Sequence, residues 1–119
     1  MKILITLFAA MLLATASLVA DGNDLLEECL AAERIIDGKT VNELEGGKAM
    51  RCFGVIYGVR ETMRMIDHPS YKMCMPERGI QNKQALRIVV SYLKKNPQNL
   101  HFYDISLIMA AYIKAFPCK

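Results

Sequence analysis

An all-α fold is what this sequence predicts: a small four-helix domain of two antiparallel helical hairpins, stapled by two disulfides. Three observations lead there. Gly and Pro clusters divide the chain beyond an apolar leader into four segments. Within each segment the apolar residues recur at helical spacing. Four cysteines then fall about the turns that join those segments, one pair to each hairpin.

The leader comes first. Lys2 precedes an apolar run from Ile3 to Leu13, followed by Ala14-Thr15-Ala16 and Leu18-Val19-Ala20 and then, abruptly, by Asp21-Gly22-Asn23-Asp24. A positive start, an apolar segment and small residues at a cut site describe a secretory signal peptide over residues 1–20, cleaved after Ala20 or, alternatively, after Ala16. An N-terminal membrane anchor competes, since about 18 apolar residues just span a bilayer. The small residues and the sudden polarity favour cleavage, which leaves no membrane anchor. No Cys follows the run, so a lipid anchor is not indicated.

Removing 20 of 119 residues leaves 99, a single domain over 21–119. A chain of this size buries a modest fraction of its surface and gains from covalent help. The formal net charge is +3, of which Lys2 carries one. So small a balance points away from nucleic acid. The charges are unevenly placed: residues 21–50 hold eight acids and three bases, residues 51–95 nine bases and three acids. Such polarity steers a charged partner, or else simply describes two solvated faces.

The first helix is expected over 24–36, capped by Asn23, with Asp24, Glu27 and Glu28 at the positive end of its dipole. Leu26, Cys29, Leu30 and Glu33 follow one side, broadened by Leu25, Ala32 and Ile36, and Asp37-Gly38 ends it. The second is expected over 43–66, with Asn42 and Glu45 at capping-box spacing. Cys52, Val55, Ile56, Val59, Met63 and Ile66 form its inward arc. Gly47, Gly54 and Gly58 lie on another face, beside Met50, Tyr57 and Met65. Each interior Gly costs about 1 kcal/mol relative to Ala, so three together suggest close approach by another helix. That helix belongs either to this chain or to a second copy.

Residues 67–79 read as a Pro-punctuated linker. The third helix is expected over 82–95, with Leu86, Val89, Val90 and Leu93 inward, and Lys83, Arg87 and Lys94 outward. Lys94 and Lys95 suit its C-terminal end, and Asn96-Pro97 stops it. The fourth is expected over 102–115, its stripe formed by Ile105, Ile108, Met109, Tyr112 and Phe116. It is apolar on most sides, the mark of a central or interface helix.

All four cysteines lie beyond the leader, and an even number in an oxidising compartment implies bridges. Three pairings exist, and hairpin geometry selects among them. Residues equidistant from the turn of an antiparallel hairpin sit side by side. Cys29 and Cys52 are centred on residues 40–41, between helices one and two, and Cys74 and Cys118 on Asn96, between three and four. The expected bridges are therefore Cys29–Cys52 and Cys74–Cys118.

A search for chemistry finds little. Zinc is disfavoured: there is no CxxC pair, and the two histidines, His68 and His101, lie far apart. Bridged cysteines are unavailable as nucleophiles. No Ser lies in a GxSxG elbow, and Glu45-Gly46-Gly47-Lys48 lacks the spacing of a phosphate loop. His68 reads as a solvated loop residue, and His101 as a cap or surface residue at the start of helix four. No acid–base pair assembles, and neither an enzyme nor a cofactor is expected.

Several runs together do carry a resemblance. Asn23-Asp24-Leu25-Leu26-Glu27-Glu28-Cys29 and Cys52-Phe53-Gly54-Val55-Ile56-Tyr57-Gly58-Val59 resemble the first half of the Rap/Tai immunity proteins. Cys74-Met75-Pro76, the stretch Gln84 to Leu93, Pro97-Gln98-Asn99-Leu100-His101 and the terminal Ala115-Phe116-Pro117-Cys118 are similar to the second half. The resemblance covers the chain beyond the leader. One departure is Gln81, where the pattern usually has a better helix cap such as Thr.

The resemblance implies a small helical fold, commonly a homodimer. It also implies a function: blocking a cognate type VI secretion peptidoglycan amidase in the periplasm and so preventing killing by sister cells. It brings no catalytic residues. For the inhibitory surface the expectation is the most irregular exposed segment, with His68, Tyr71, Lys72 and Arg78, together with Lys83 and Arg87 on the adjoining helix. The competing reading makes these ordinary solvent-facing residues. Two other functions stay open from sequence: a periplasmic acid-stress chaperone, and an envelope binding module with another partner.

Overall fold

The structure is a computed structural model, and it describes residue 1 and residues 19–119. The expected signal peptide therefore lies, apart from its ends, outside the described residues. Four α-helices follow: α1 Gly22–Ile36, α2 Glu43–Met65, α3 Asn82–Lys95 and α4 Asp104–Ala115. Short 3-10 turns at Pro69–Tyr71 and Pro97–Asn99 lie in the connections. Among the described residues there is no named strand, and no helix is long and apolar enough to cross a membrane.

The hairpin pairing holds. Cys29–Cys52 joins α1 to α2 with a Cα–Cα separation of 5.2 Å, and Cys74–Cys118 ties the linker to the C-terminus at 4.9 Å. The first bridge is fully buried and forms part of the core. Around it α2 packs against all three other helices. Ala49, Cys52, Ile56, Val59 and Met63 supply its inward face, close to the expected arc, although Ile66 is 39 % exposed. The Asn42–Glu45 capping box forms as its spacing predicts. On α3 the burial of Leu86, Val89, Val90 and Leu93 follows the expected stripe, and Gln81 indeed makes no side-chain cap.

The start of α1 differs from expectation. Asp21, not Asn23, is the cap: its Oδ1 accepts from the backbone N–H groups of Asn23 (2.8 Å) and Asp24 (3.1 Å), while Asp24 accepts from that of Asp21. The bond from the Asp24 N–H, reinforced by Asn23, outweighs desolvation and holds the Asp21 carboxyl below its usual range. Tertiary contact extends the helix back to this point. The Gly22 N–H donates to the Phe102 carbonyl at 3.0 Å, and Asp21 forms an antiparallel bridge with Tyr103. Asn23 instead donates to the Leu100 carbonyl. The approach is close enough to require glycine, because a Cβ on Gly22 would lie 2.3 Å from Leu107 and 2.9 Å from the Leu100 backbone.

Two inward faces are also rotated from those expected. On α1, Leu25, Cys29 and Ala32 are fully buried while Leu30 is exposed, because the helix faces both α2 and α3. On α4, which begins at Asp104 and not at 102, Leu107, Ile108, Ala111 and Tyr112 turn inward, and Ile105 is 51 % exposed. Polar bonds set that rotation. The buried Tyr112 hydroxyl donates to the Ile56 carbonyl, and Asp104 pairs with Arg51 at 2.7 Å.

Candidate partner-binding surfaces

The linker is irregular but well tethered. His68 caps its 3-10 turn, Nδ1 accepting from the Ser70 N–H at 3.2 Å, and its ring lies against Tyr71 with centroids 5.3 Å apart. Lys72 stands 3.9 Å from Asp67. At Cys74 the chain is held twice, by the bridge to Cys118 and by a 2.8 Å backbone bond to the Phe116 carbonyl. A tight turn then closes at Gly79, whose φ of +69° suits glycine.

Arg60 finishes the job. Although only 5 % exposed, it donates to the Ile80 carbonyl and the Asn82 side chain, pairs with Glu61 and lies over the Tyr57 ring. A buried guanidinium so satisfied locks the exit of the linker and the first turn of α3 onto α2. These bonds position the start of α3 without capping it, since a guanidinium cannot accept from the free N–H groups of the first turn. Nothing in the spacing of the sequence distinguishes Arg60 from a surface arginine.

The six residues expected at the inhibitory surface are all exposed, but they do not form one patch lining one hollow. Lys72 borders a hollow beneath the linker, shared with Met63, Met73 and Met75. Arg78 and Lys83 make no ion pair among the described residues. Arg87 instead pairs with Asp37 beyond α1 at 3.0 Å and lines the groove between α3 and α4. Three more residues of that groove, Tyr92, Lys95 and Lys114, were given no surface role by the sequence, which read Lys95 only as a partner of the helix dipole.

On α2 the glycine face is open. A Cβ at Gly47, Gly54 or Gly58 would meet nothing within 4 Å, and Met50, Tyr57 and Met65 beside them are exposed. Among the described residues no other helix comes close enough to these positions to require glycine. Gly58 also borders an apolar hollow with Val55, Met63, Ile105 and Met109.

A third feature pins the hairpins together. Arg51 of α2 bridges Glu28 of α1 and the nearly buried Asp104 of α4. Partial desolvation works against the Arg51 charge, but hydrogen bonds to Asp104 and Glu28 more than offset it and raise its pKa. His101, expected as a cap or surface residue, is exposed with its ring against Phe102. Among the described residues no group of three or more His, Cys, Asp or Glu side chains is placed to hold a metal, and all four cysteines are bridged.

These features define a small, doubly bridged helical protein whose irregular segments are tied to its core and whose surface carries open hollows. The family model for the Rap1a immunity proteins matches residues 21–118, and the chain belongs to that family. Its role is accordingly that of an immunity protein, which binds a partner effector. No curated protein and no solved structure matches the chain.

Proposed function

We propose that this immunity protein binds a cognate type VI secretion peptidoglycan amidase and blocks it in the periplasm, protecting the cell from its sisters. The observation that carries this reading is the family match over residues 21–118. The two disulfides support an oxidising compartment, reached through the leader expected over 1–20. Inhibition of this kind needs a preorganised surface and no chemistry of its own, and the tethering of the linker by Arg60 and Cys74–Cys118 supplies that rigidity.

The inhibitory surface proposed is the linker face, His68, Tyr71, Lys72 and Arg78, flanked by Lys83 and Arg87. A loop held at both ends enters a hydrolase cleft at little entropic cost. The open α2 face with Gly47, Gly54, Tyr57 and Gly58 is proposed to meet its symmetry mate in a homodimer, glycines admitting the exposed Met50 and Tyr57 of the second copy.

The test is coexpression of the exported protein with a periplasm-directed type VI secretion peptidoglycan amidase from the same cell. Survival of cells that otherwise lyse, with inhibition of peptidoglycan hydrolysis by the purified pair, is the expected result. Lysis together with the absence of a complex would overturn the reading. Arg78→Glu with Arg87→Glu should weaken inhibition; unchanged inhibition would displace the surface without touching the function.

A further inference from the structure

Between α3 and α4 lies an open groove of about 550 Å³. Its lining runs along α3 from Gln84 to Asn96, which is roughly 18 Å or three helical turns. Small residues deepen it: Ser91, Ala111 and Ala115 lie beside Ile88 and Tyr92, so a ridge of side chains from a third helix has room to seat.

Charge says what kind of helix. Arg87, Lys95 and Lys114 stand on the groove, and no carboxylate lines it. Lys114 is held over the Tyr92 ring, 5.9 Å from its centroid. Lys95 has no ion-pair partner among the described residues. An anionic headgroup on an acyl chain would call for cations gathered at one end. Here Arg87 and Lys95 are eight residues apart on α3, about 12 Å, and Lys114 faces them from α4. That spread complements a segment carrying carboxylates along its length on both sides of an apolar ridge.

We infer that the α3–α4 groove seats an acidic amphipathic helix of the effector, a second contact beside the linker. For the owner of that helix the inference rests on the immunity reading above; for its chemistry it rests on the groove alone. Arg87 then serves both contacts, joining the groove to the linker face, and its pairing with Asp37 orients it at the edge of the groove.

The experiment titrates the full exported chain with a synthetic helical peptide having leucines at i, i+3, i+4 and i+7 and glutamates flanking them. Its control has lysines in place of the glutamates. The expected result is chemical-shift change at Ile88, Ser91 and Ala111 with the acidic peptide only, weakening as NaCl rises from about 50 to about 500 mM. Lys95→Glu with Lys114→Glu should cost about tenfold in affinity. Ser91→Trp, which fills the floor without changing a charge, should abolish binding. Equal binding of both peptides, no binding, or a response to laurate alone would overturn the inference.

A parallel arm measures amidase inhibition by the same variants. If the wild type inhibits and both groove variants inhibit equally well, the groove is refuted and the immunity reading stands. If the wild type fails to inhibit, that reading falls while the peptide arm still judges the groove.

Discussion

Replacing Arg51 by Met tests how the two hairpins are joined. The guanidinium touches Asp104, whose side chain is 9 % exposed, and Glu28, at 15 %. At an effective dielectric near 20, unit charges about 4 Å apart interact by about 4 kcal/mol. Arg51 itself is 41 % exposed, so solvent screening removes a large part of that. Against this stands the cost of leaving two poorly solvated carboxylates side by side without their cation. The balance is a loss of about 2–3 kcal/mol, or roughly 10–20 °C in Tm for a domain of this size.

Asp104→Asn should cost about 1 kcal/mol, since an amide oxygen can still accept from the Ile105 N–H. The double variant should be more stable than the sum of the single losses predicts, by about 1.5 kcal/mol. Urea unfolding of the four proteins at neutral pH measures the cycle. A loss below about 0.5 kcal/mol for Arg51→Met, or strict additivity, would refute the account of Arg51 as the pin between hairpins.

Other predictions follow from the core and the bridges. Burial, outweighing the nearby Arg60 charge, raises the Tyr112 phenol well above its ordinary value of about 10. The unfolded chain therefore loses this proton first, so the stability contributed is complete below pH ~10 and falls as pH climbs above it. Tyr112→Phe should flatten that alkaline limb of a stability–pH profile while forfeiting about 1 kcal/mol of hydrogen bonding at neutral pH; an unchanged limb would contradict it. The buried Cys29–Cys52 bridge should resist thiol reagents in the native protein, and the bridge at exposed Cys74 should open first, as followed by alkylation and mass spectrometry. For loops of 23 and 44 residues, loss of the bridges should cost up to about 3.4 and 4 kcal/mol, read by denaturant unfolding of the two double Cys→Ala variants.

Much of this molecule was readable without coordinates. Helix number, most helix limits and both disulfide partners follow from local facts: apolar spacing, Gly and Pro punctuation, and the equidistance of cysteines from two turns. These properties depend on residues near one another in the chain or on hairpin symmetry, so a one-dimensional pattern carries them. The residues of the candidate surface were correctly placed outside, yet their division between linker and groove was not visible. Arg87 looks equivalent to Lys83 until Asp37, fifty residues away, claims it.

What only the tertiary structure decided is of that second kind. An apolar helix such as α4 offers several acceptable inward faces, and hydrophobic burial barely distinguishes among them. The choice fell to directional bonds made across the fold, from Tyr112 to Ile56 and from Asp104 to Arg51. The same holds for Gly22, needed because Leu100 and Leu107 crowd it, and for Arg60, whose burial follows from the path of the linker. Sequence by itself determined which segments are helices and which cysteines meet. The packing of those helices determined which charged side chains became pins and which lysines came to border an open groove, because distance and desolvation arise only once the hairpins are side by side.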